Sequence, residues 1–271
     1  MRVTRSCYYD WLNKPLSKQQ KEDLILCELI KDSFKESRRT YGHRRIKKDL
    51  REKGIKTSND RVRRLMKELN LVPVQVRKFK ATTNSKHSLP VAPNLLKKDF
   101  RADAPCQKYV GDITYIHTDE GWLYLATVID LFSRKVVGWA LGERMTKQLV
   151  IDAMNQAIKH EKPAGGLIFH SDRGSQYASY DYQSLLRSHG YLQSMSAKGD
   201  CYDNACAESF FATIKKECIR LERFKTRSEA RLVVVDYIIW YNAKRRHSYL
   251  GDISPMNFER QYFQNIIGNA A

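Results

Sequence analysis

The sequence predicts an all-helical, helix-turn-helix-like domain over residues 1–72 and an α/β domain, a mixed sheet flanked by helices, over residues 102–265. A basic linker over residues 73–101 joins them, and residues 266–271 form a tail. Three observations carry this reading. Apolar residues recur with helical period ahead of residue 70. Three consecutive runs rich in β-branched and aromatic residues lie between Tyr109 and Leu141. From Thr146 onward helical and strand-like segments alternate, as expected when helices cover the faces of a sheet.

In chain order, Lys18 to Glu36 places Leu26, Leu29, Ile30 and Phe34 on one helical face. Ile46 and Leu50, four apart, define a second helix that Gly54 is placed to stop. Thr57 or Ser58 can cap a third, in which Val62, Leu65, Met66 and Leu69 follow the i, i+3, i+4, i+7 pattern. Its opposite face carries Arg61, Arg63, Arg64 and Lys67. Two short helices across a glycine-containing turn, the second strongly basic, read as a helix-turn-helix, or as a solvated basic bundle. Such a face can hold phosphates without reading bases. Residues 73–100 lose periodicity and are rich in Pro, Ser, Thr and Lys, which suits an extended linker.

The second domain opens with Y-V-G-D-I-T-Y-I-H-T, the turn T-D-E-G and W-L-Y-L-A-T-V-I-D, a hairpin of two strands, and Arg134 to Leu141 supplies a third. Asp112 is out of place in that β-rich run, because a buried carboxylate is costly unless it is paired or binds a metal. Thr146 to His160 reads as a helix with Leu149, Val150, Ala153, Met154, Ala157 and Ile158 inward. Leu167, Ile168 and Phe169 form a short buried strand ending at Asp172, a position where α/β sheets present ligand-binding groups. Tyr180 to His189 is a short helix and Tyr191 to Ser196 a short strand. In the helix that follows, Ala207, Phe210, Phe211, Ile214 and Cys218 form the apolar face and Glu208 lies off it. Lys215 returns to within roughly 20° of Glu208 two turns later, so one carboxylate and one ammonium share a face.

The chain has 271 residues and a formal net charge of +18, which points to an acidic partner, most simply nucleic acid. Residues 1–100 hold 26 Lys and Arg against 11 Asp and Glu. The N-terminal third is thus the electrostatic handle and the remainder the expected reaction centre. No apolar run approaches a membrane span and Met1 to Asp10 has no signal-peptide core, so a cytoplasmic protein with no membrane partner is expected. The six cysteines form no C-x-x-C pair, and reduced thiols are expected.

Asp172 and Glu208 are separated by 35 residues. Around them stand G-W-L-Y-L-A, I-D-L-F-S-R-K-V-V-G-W, H-S-D-R-G-S-Q-Y, S-M-S-A-K-G-D-C-Y-D-N-A, E-S-F-F-A-T-I-K-K-E and Y-N-A-K-R-R-H-S-Y-L. This order of motifs resembles a ribonuclease-H-like integrase catalytic core. From about Tyr41 to Phe258 the chain resembles the second-reading-frame product of a bacterial insertion-sequence DDE transposase. Two positions depart from the family pattern: Tyr109 stands where Trp is common, and Gly111 directly precedes Asp112.

The resemblance implies a polynucleotidyl transferase in which Asp112, Asp172 and Glu208 hold two Mg²⁺ ions, with Mn²⁺ as a substitute. Hard cations prefer carboxylate oxygen, and an ion pair can stabilise both the attacking and leaving oxygens of a phosphodiester displacement. It further implies double-stranded DNA, both element ends and target, as the substrate. An upstream-frame product that supplies separate DNA-binding and multimerisation regions, and homo-oligomers on DNA, are the implied partners. Lys215 matches the basic residue that the family carries on the catalytic helix. Asn204 and Arg173 are candidate DNA contacts, with Asp203 a cap or a DNA contact, and Gly174 and Gln176 candidate phosphate donors. His170 is either a partner of the metal site or a packed strand-end histidine. Asp130 is expected to be structural, pairing Arg134, and Arg245 to His247 a phosphate clamp or a solvated charge run. The competing readings are a catalytically decayed DNA-binding regulator and a hydrolytic ribonuclease-H-like nuclease.

Overall fold

The computed structural model describes residues 4–6, 9, 15–74, 90–197 and 204–270. The chain divides into two compact units, Met1–Val74 and Gln75–Ala271.

The first unit has three helices, α1 (Lys18–Glu36), α2 (His43–Glu52) and α3 (Asn59–Glu68). Ser17 and Gln20 close α1 with a reciprocal capping box, satisfying amides that the first helical turn leaves without partners. Gly54, at φ +80°, ends α2 in the left-handed conformation that favours glycine. Of the two capping candidates for α3, Ser58 takes the role, its Oγ accepting from the Arg61 amide at 3.1 Å. Leu26, Ile30, Phe34, Ile46, Leu50, Val62 and Leu65 form the buried core of the three helices.

In the second unit, β1 (Lys108–Thr118), β2 (Gly121–Asp130) and β3 (Val136–Gly142) form an antiparallel meander. The helix α4 (Lys147–Glu161) crosses to β4 (Ile168–Ser171), and α5 (Tyr180–Ser188) to β5 (Leu192–Met195). Both later strands run parallel to β1, giving the order β3-β2-β1-β4-β5. Then come α6 (Ala205–Glu217), α7 (Arg227–Ala243) and α8 (Pro255–Ala270).

The two faces of the sheet carry separate cores, as the two-residue period of a strand requires. On one side Val110, Ile116, Leu125 and Ile129 pack with Phe210, Phe211 and Ile214 of α6 and Val234, Tyr237 and Ile238 of α7. On the other, Tyr109, Ala126 and Val128 pack with Leu149, Val150 and Met154 of α4 and Tyr182 and Leu186 of α5. Asp112 has the parity of Val110 and Ile116 and so belongs to the α6 side.

Four expectations are corrected. Part of the stretch read as linker packs on the core: Leu96 is buried there, the Met195 amide donates to the Pro93 carbonyl at 3.4 Å, and Leu95 N donates to Ser194 Oγ at 2.9 Å. Residues 75–89 lie outside the described residues. Residues 266–270 of the tail are the end of α8, whose Glu259 accepts from Ser133 Oγ at 2.8 Å and Lys135 Nζ at 2.9 Å, with the Phe132 ring tilted against Phe258 and edge-on to Tyr262. Asp130 is structural, but its carboxylate does not pair the Arg134 side chain. It accepts from Ser133 N and Oγ and from Cys106 N, and burial pushes its pKa up to about 6. The Arg245–His247 run is neither clamp nor solvated, because Arg245 and Arg246 are buried. Arg245 makes a two-pronged contact with Glu217, 2.7 Å at each oxygen, and Arg246 donates to the Asp252 carbonyl at 2.8 Å.

Among the described residues no helix is long and apolar enough to cross a membrane. Cys27, Cys106, Cys206 and Cys218 are free thiols.

Candidate active site

The register of β1 against β4 builds the centre of the site. Gly111 lies opposite Ser171 in the parallel pair, so Asp112 on β1 and Asp172, the residue just past the end of β4, emerge side by side. Glycine at 111 is required here, because a Cβ would collide with the Phe169 ring. The departure from the family pattern thus accompanies close packing of an aromatic side chain beneath the strand. The other departure, Tyr109, is fully buried, and its hydroxyl donates to Cys106 Sγ at 3.1 Å.

Both carboxylates are oriented by backbone amides. Asp112 Oδ1 accepts from Ile113 N at 2.7 Å, and Asp172 Oδ1 from Gly174 N at 2.9 Å. Burial raises the Asp112 pKa to about 8, the Asp172 charge adds to the rise and Glu208 raises it further, while the Ile113 amide and Lys215 oppose it. Glu208 is exposed on α6, its own pKa raised by the part of it that is buried. Lys215 is half-buried, its ammonium 5.1 Å from the centroid of the Tyr115 ring. Burial and then Arg220 lower its pKa, and Asp112 pulls the other way. Three carboxylates and one ammonium, widely separated in sequence, therefore act on one another at Asp112.

The donor set suits a hard divalent cation. Asp112 and Asp172 offer adjacent oxygens whose mutual repulsion and burial hold a proton on Asp112, the penalty that a bound cation removes. Among the described residues no three His, Cys, Asp or Glu side chains are gathered closely enough to form a complete cage.

The Asp112 shift has a measurable consequence without metal. The folded protein keeps the Asp112 proton up to about pH 8, whereas the unfolded chain releases it near 3.8. Between those values the unfolded state binds fewer protons, so stability falls as pH rises from about 4 to about 8. We expect thermal unfolding in chelator to show this decline, and Asp112→Asn to remove it, with a gain on the order of 4 kcal/mol at pH 7. A flat wild-type profile would mean that Asp112 ionises normally.

The candidate DNA contacts divide. Arg173 Nε donates to the Ser196 carbonyl at 2.7 Å, anchoring the turn after β4 to the end of β5. Asn204 is buried at the start of α6, and its Nδ2 donates to the Gly111 carbonyl at 3.4 Å, next to Asp112. Both hold backbone close to the two aspartates. The Gly174 amide is engaged by Asp172, and Gln176 Nε2 donates to the Met145 carbonyl at 3.1 Å. His170 is a packed strand-end residue, its ring within 2.8 Å of Ser194 Oγ and 3.3 Å of Ser196 Oγ. Asp203 lies outside the described residues. Sequence reasoning missed Tyr115, and the available signal was an aromatic residue three places after Asp112 on the same strand.

In the first unit, Arg61 Nε and Arg64 Nη2 grip the two oxygens of Asp23 at 2.6 and 2.7 Å, and Arg64 also reaches Glu68. These arginines fasten α3 to α1. Arg63 and Lys67 are exposed, and among the described residues neither has an ion-pair partner. We expect Arg63→Ala with Lys67→Ala to weaken duplex binding and to reduce the slope of log K against log salt by about 2. Arg61→Ala should instead lower the melting temperature of the helical unit. Salt titrations and thermal melts of the full chain separate the two effects, and an unchanged slope in the double variant would remove this face as the handle.

Comparison with known proteins agrees with both units. Residues 20–79 match a helix-turn-helix-like domain family, and residues 102–201 and 189–255 match two integrase core domain families. The fold is similar to a chain in the simian T-cell lymphotropic virus intasome bound to the PP2A regulatory subunit B56 gamma. The TM-score is 0.52 at 17% identity, over 65% of this chain and 60% of that one, a likeness of fold alone. An insertion element IS600 uncharacterized 31 kDa protein of Shigella sonnei is 49% identical over 264 residues, 97% of each chain. Transposase InsF for insertion sequence IS3A of Escherichia coli is 44% identical over 264 residues, 96% of this chain and 92% of that one. With these relatives matched along nearly its whole length, and with a helix-turn-helix-like domain ahead of an integrase core, the chain belongs to the IS3-family insertion-sequence transposases.

Proposed function

We propose that Asp112, Asp172 and Glu208 are the catalytic carboxylates of a DNA strand-cleavage and strand-transfer centre that works with two divalent cations, Mg²⁺ in the first instance. The observation that carries this is the strand register, which sets Asp112 and Asp172 side by side while the Glu208 charge reaches Asp112 from α6. When bound, the cations would stabilise the charge that develops on the attacking and leaving oxygens.

The chain's own residues supply the rest. The Ile113 and Gly174 amides fix the two aspartates in place before substrate arrives. Asn204 holds the first turn of α6 against β1, which sets where Glu208 can reach. Lys215, steadied over the Tyr115 ring, offers a cation to a backbone phosphate beside the carboxylates. A terminal 3′-hydroxyl or water attacks in line and no covalent protein intermediate is needed. Asp112, which burial keeps protonated at neutral pH, would give up its proton when a cation binds, and this would tie activity to metal.

Double-stranded DNA, both element ends and target, is the proposed substrate. The basic face of α3 is the proposed non-specific handle. An upstream-frame product carrying further DNA-binding and multimerisation regions, and a second copy of this chain on the paired ends, are the proposed partners.

The test is incubation of the chain, with its upstream-frame product, on labelled element ends in Mg²⁺. Joined products that require all three carboxylates support the reading. Nicked ends that never join would make the protein a hydrolytic nuclease, and joining that continues in chelator would remove the metal from the mechanism.

A further inference from the structure

Arg134 is 7% exposed, yet among the described residues no carboxylate pairs with it. The loop that aims it inward is closed by Arg134 N donating to the Asp130 carbonyl at 2.8 Å and Asp130 N to that of Lys135 at 2.9 Å. Arg134 itself takes φ +60°, a conformation that non-glycine residues adopt at a cost. Its Nη1 donates to Cys206 Sγ at 2.6 Å and its Nη2 to the Phe100 carbonyl at 3.3 Å. The Tyr249 ring lies 4.3 Å from the guanidinium carbon. A guanidinium has five N–H donors and a permanent charge, so a thiol, a carbonyl and an aromatic face leave both incompletely answered.

Beside it is a cavity of about 220 Å³. Arg134, Cys206, Ser209, Thr213, His247 and Tyr249 contribute to its wall, and among the described residues no Asp or Glu does. One fixed cation, four hydroxyls and, among the described residues, no acidic side chain make a site for an anion. A forked guanidinium with hydroxyl donors at its side fits the tetrahedral oxygens of a phosphate group.

The site is distinct from the carboxylate centre. At about 100° per residue, Cys206, Ser209 and Thr213 point roughly 100° to 160° around α6 from Glu208, whereas Lys215 stays within roughly 20° of it. A helix width of about 10 Å separates the two faces. A phosphate held here therefore belongs to a nucleotide other than the one undergoing reaction.

We propose that this cavity is a phosphate-binding site, occupied by a backbone phosphate of the DNA that the transposase holds. The chain's net charge of +18 favours a polyanion as the source of that phosphate. The proposal does not depend on which carboxylates are catalytic, and its test needs no catalysis.

Cys206 lines the cavity and is half-buried, so its alkylation by N-ethylmaleimide reports occupancy. Peptide-resolved labelling of the full chain is compared in chloride, in inorganic phosphate at matched ionic strength, and with duplex DNA in chelator. Cys106, which does not line the cavity, is the internal control. Cys206 labelling is expected to slow about tenfold when the ligand is present at about ten times its dissociation constant. Arg134→Met should abolish the slowing, and Thr213→Val, a milder change, should weaken it even where Arg134→Met fails to fold. Slowing by both phosphate and DNA assigns the site to DNA phosphodiesters, and slowing by phosphate alone assigns it to the free ion. No slowing by either, or slowing that both variants leave intact, overturns the proposal.

Discussion

Asp172→Asn is expected to lower strand joining by more than about a thousandfold, equivalent to about 4 kcal/mol of lost transition-state stabilisation, with little change in the fold. The substitution is nearly isosteric, and the amide oxygen can still accept from Gly174 N, the bond that shapes the turn after β4. What disappears is the negative charge beside Asp112. The Asp112 pKa should fall at the same time, since the Asp172 charge is part of what raises it. The measurements are end joining in Mg²⁺, DNA binding in chelator and thermal melting of the same preparation. Joining at wild-type rate in the variant would sink the assignment of Asp172. Weak joining together with weak DNA binding would make Asp172 a substrate-holding residue instead.

The largest expected effect on stability lies away from that centre. Glu217, near the end of α6, is buried against Arg245, which follows α7, and also accepts from Tyr237 Oη at 2.7 Å. Glu217→Ala leaves a buried guanidinium without its partner, a change that costs about 3–5 kcal/mol. The melting temperature should drop by roughly 10 °C for a unit of this size. Replacing both residues with methionine should recover most of the loss, because the desolvation of both charges disappears together. A single variant that melts within a degree or two of the wild type would show that Arg245 finds another anion or reaches solvent. Because α6 also carries Glu208 and Lys215, the single variant should lose joining activity below the wild-type melting temperature.

Much of this architecture is legible in the sequence, for a local reason. The three N-terminal helices and the strands and helices between Tyr109 and Cys218 follow from apolar period and turn chemistry, which depend on near neighbours. The α8 helix is not legible in the same way. It is held by Glu259 on Ser133 and Lys135 and by Phe258 and Tyr262 on Phe132, contacts made across more than a hundred residues of chain. The stretch before Lys108 reads as linker because its Pro and Lys content describes an unsupported chain, whereas Leu96 finds a core to enter.

Charged side chains separate the two levels most clearly. The residue types alone could not tell the arginines that bind partners from those that bind the protein. Arg61, Arg64, Arg173, Arg245 and Arg246 are all engaged internally, and Arg63 and Lys67 are not. An arginine side chain is long enough to select among several acceptors, and which of them is near is set by packing between distant segments.

By itself the sequence determined the two-part architecture, the mixed sheet with its covering helices, and the carboxylates that belong to the family's motifs, because these rest on local periodicity and on the order of short words along the chain. Only the tertiary structure decided that Asp112 and Asp172 emerge together, that Lys215 stands over Tyr115, and that Arg134 is buried beside an open cavity where, among the described residues, no acid meets it. Each of these depends on strand register or on the packing of α6 and its neighbours against the sheet, and neither is encoded by residues adjacent in sequence.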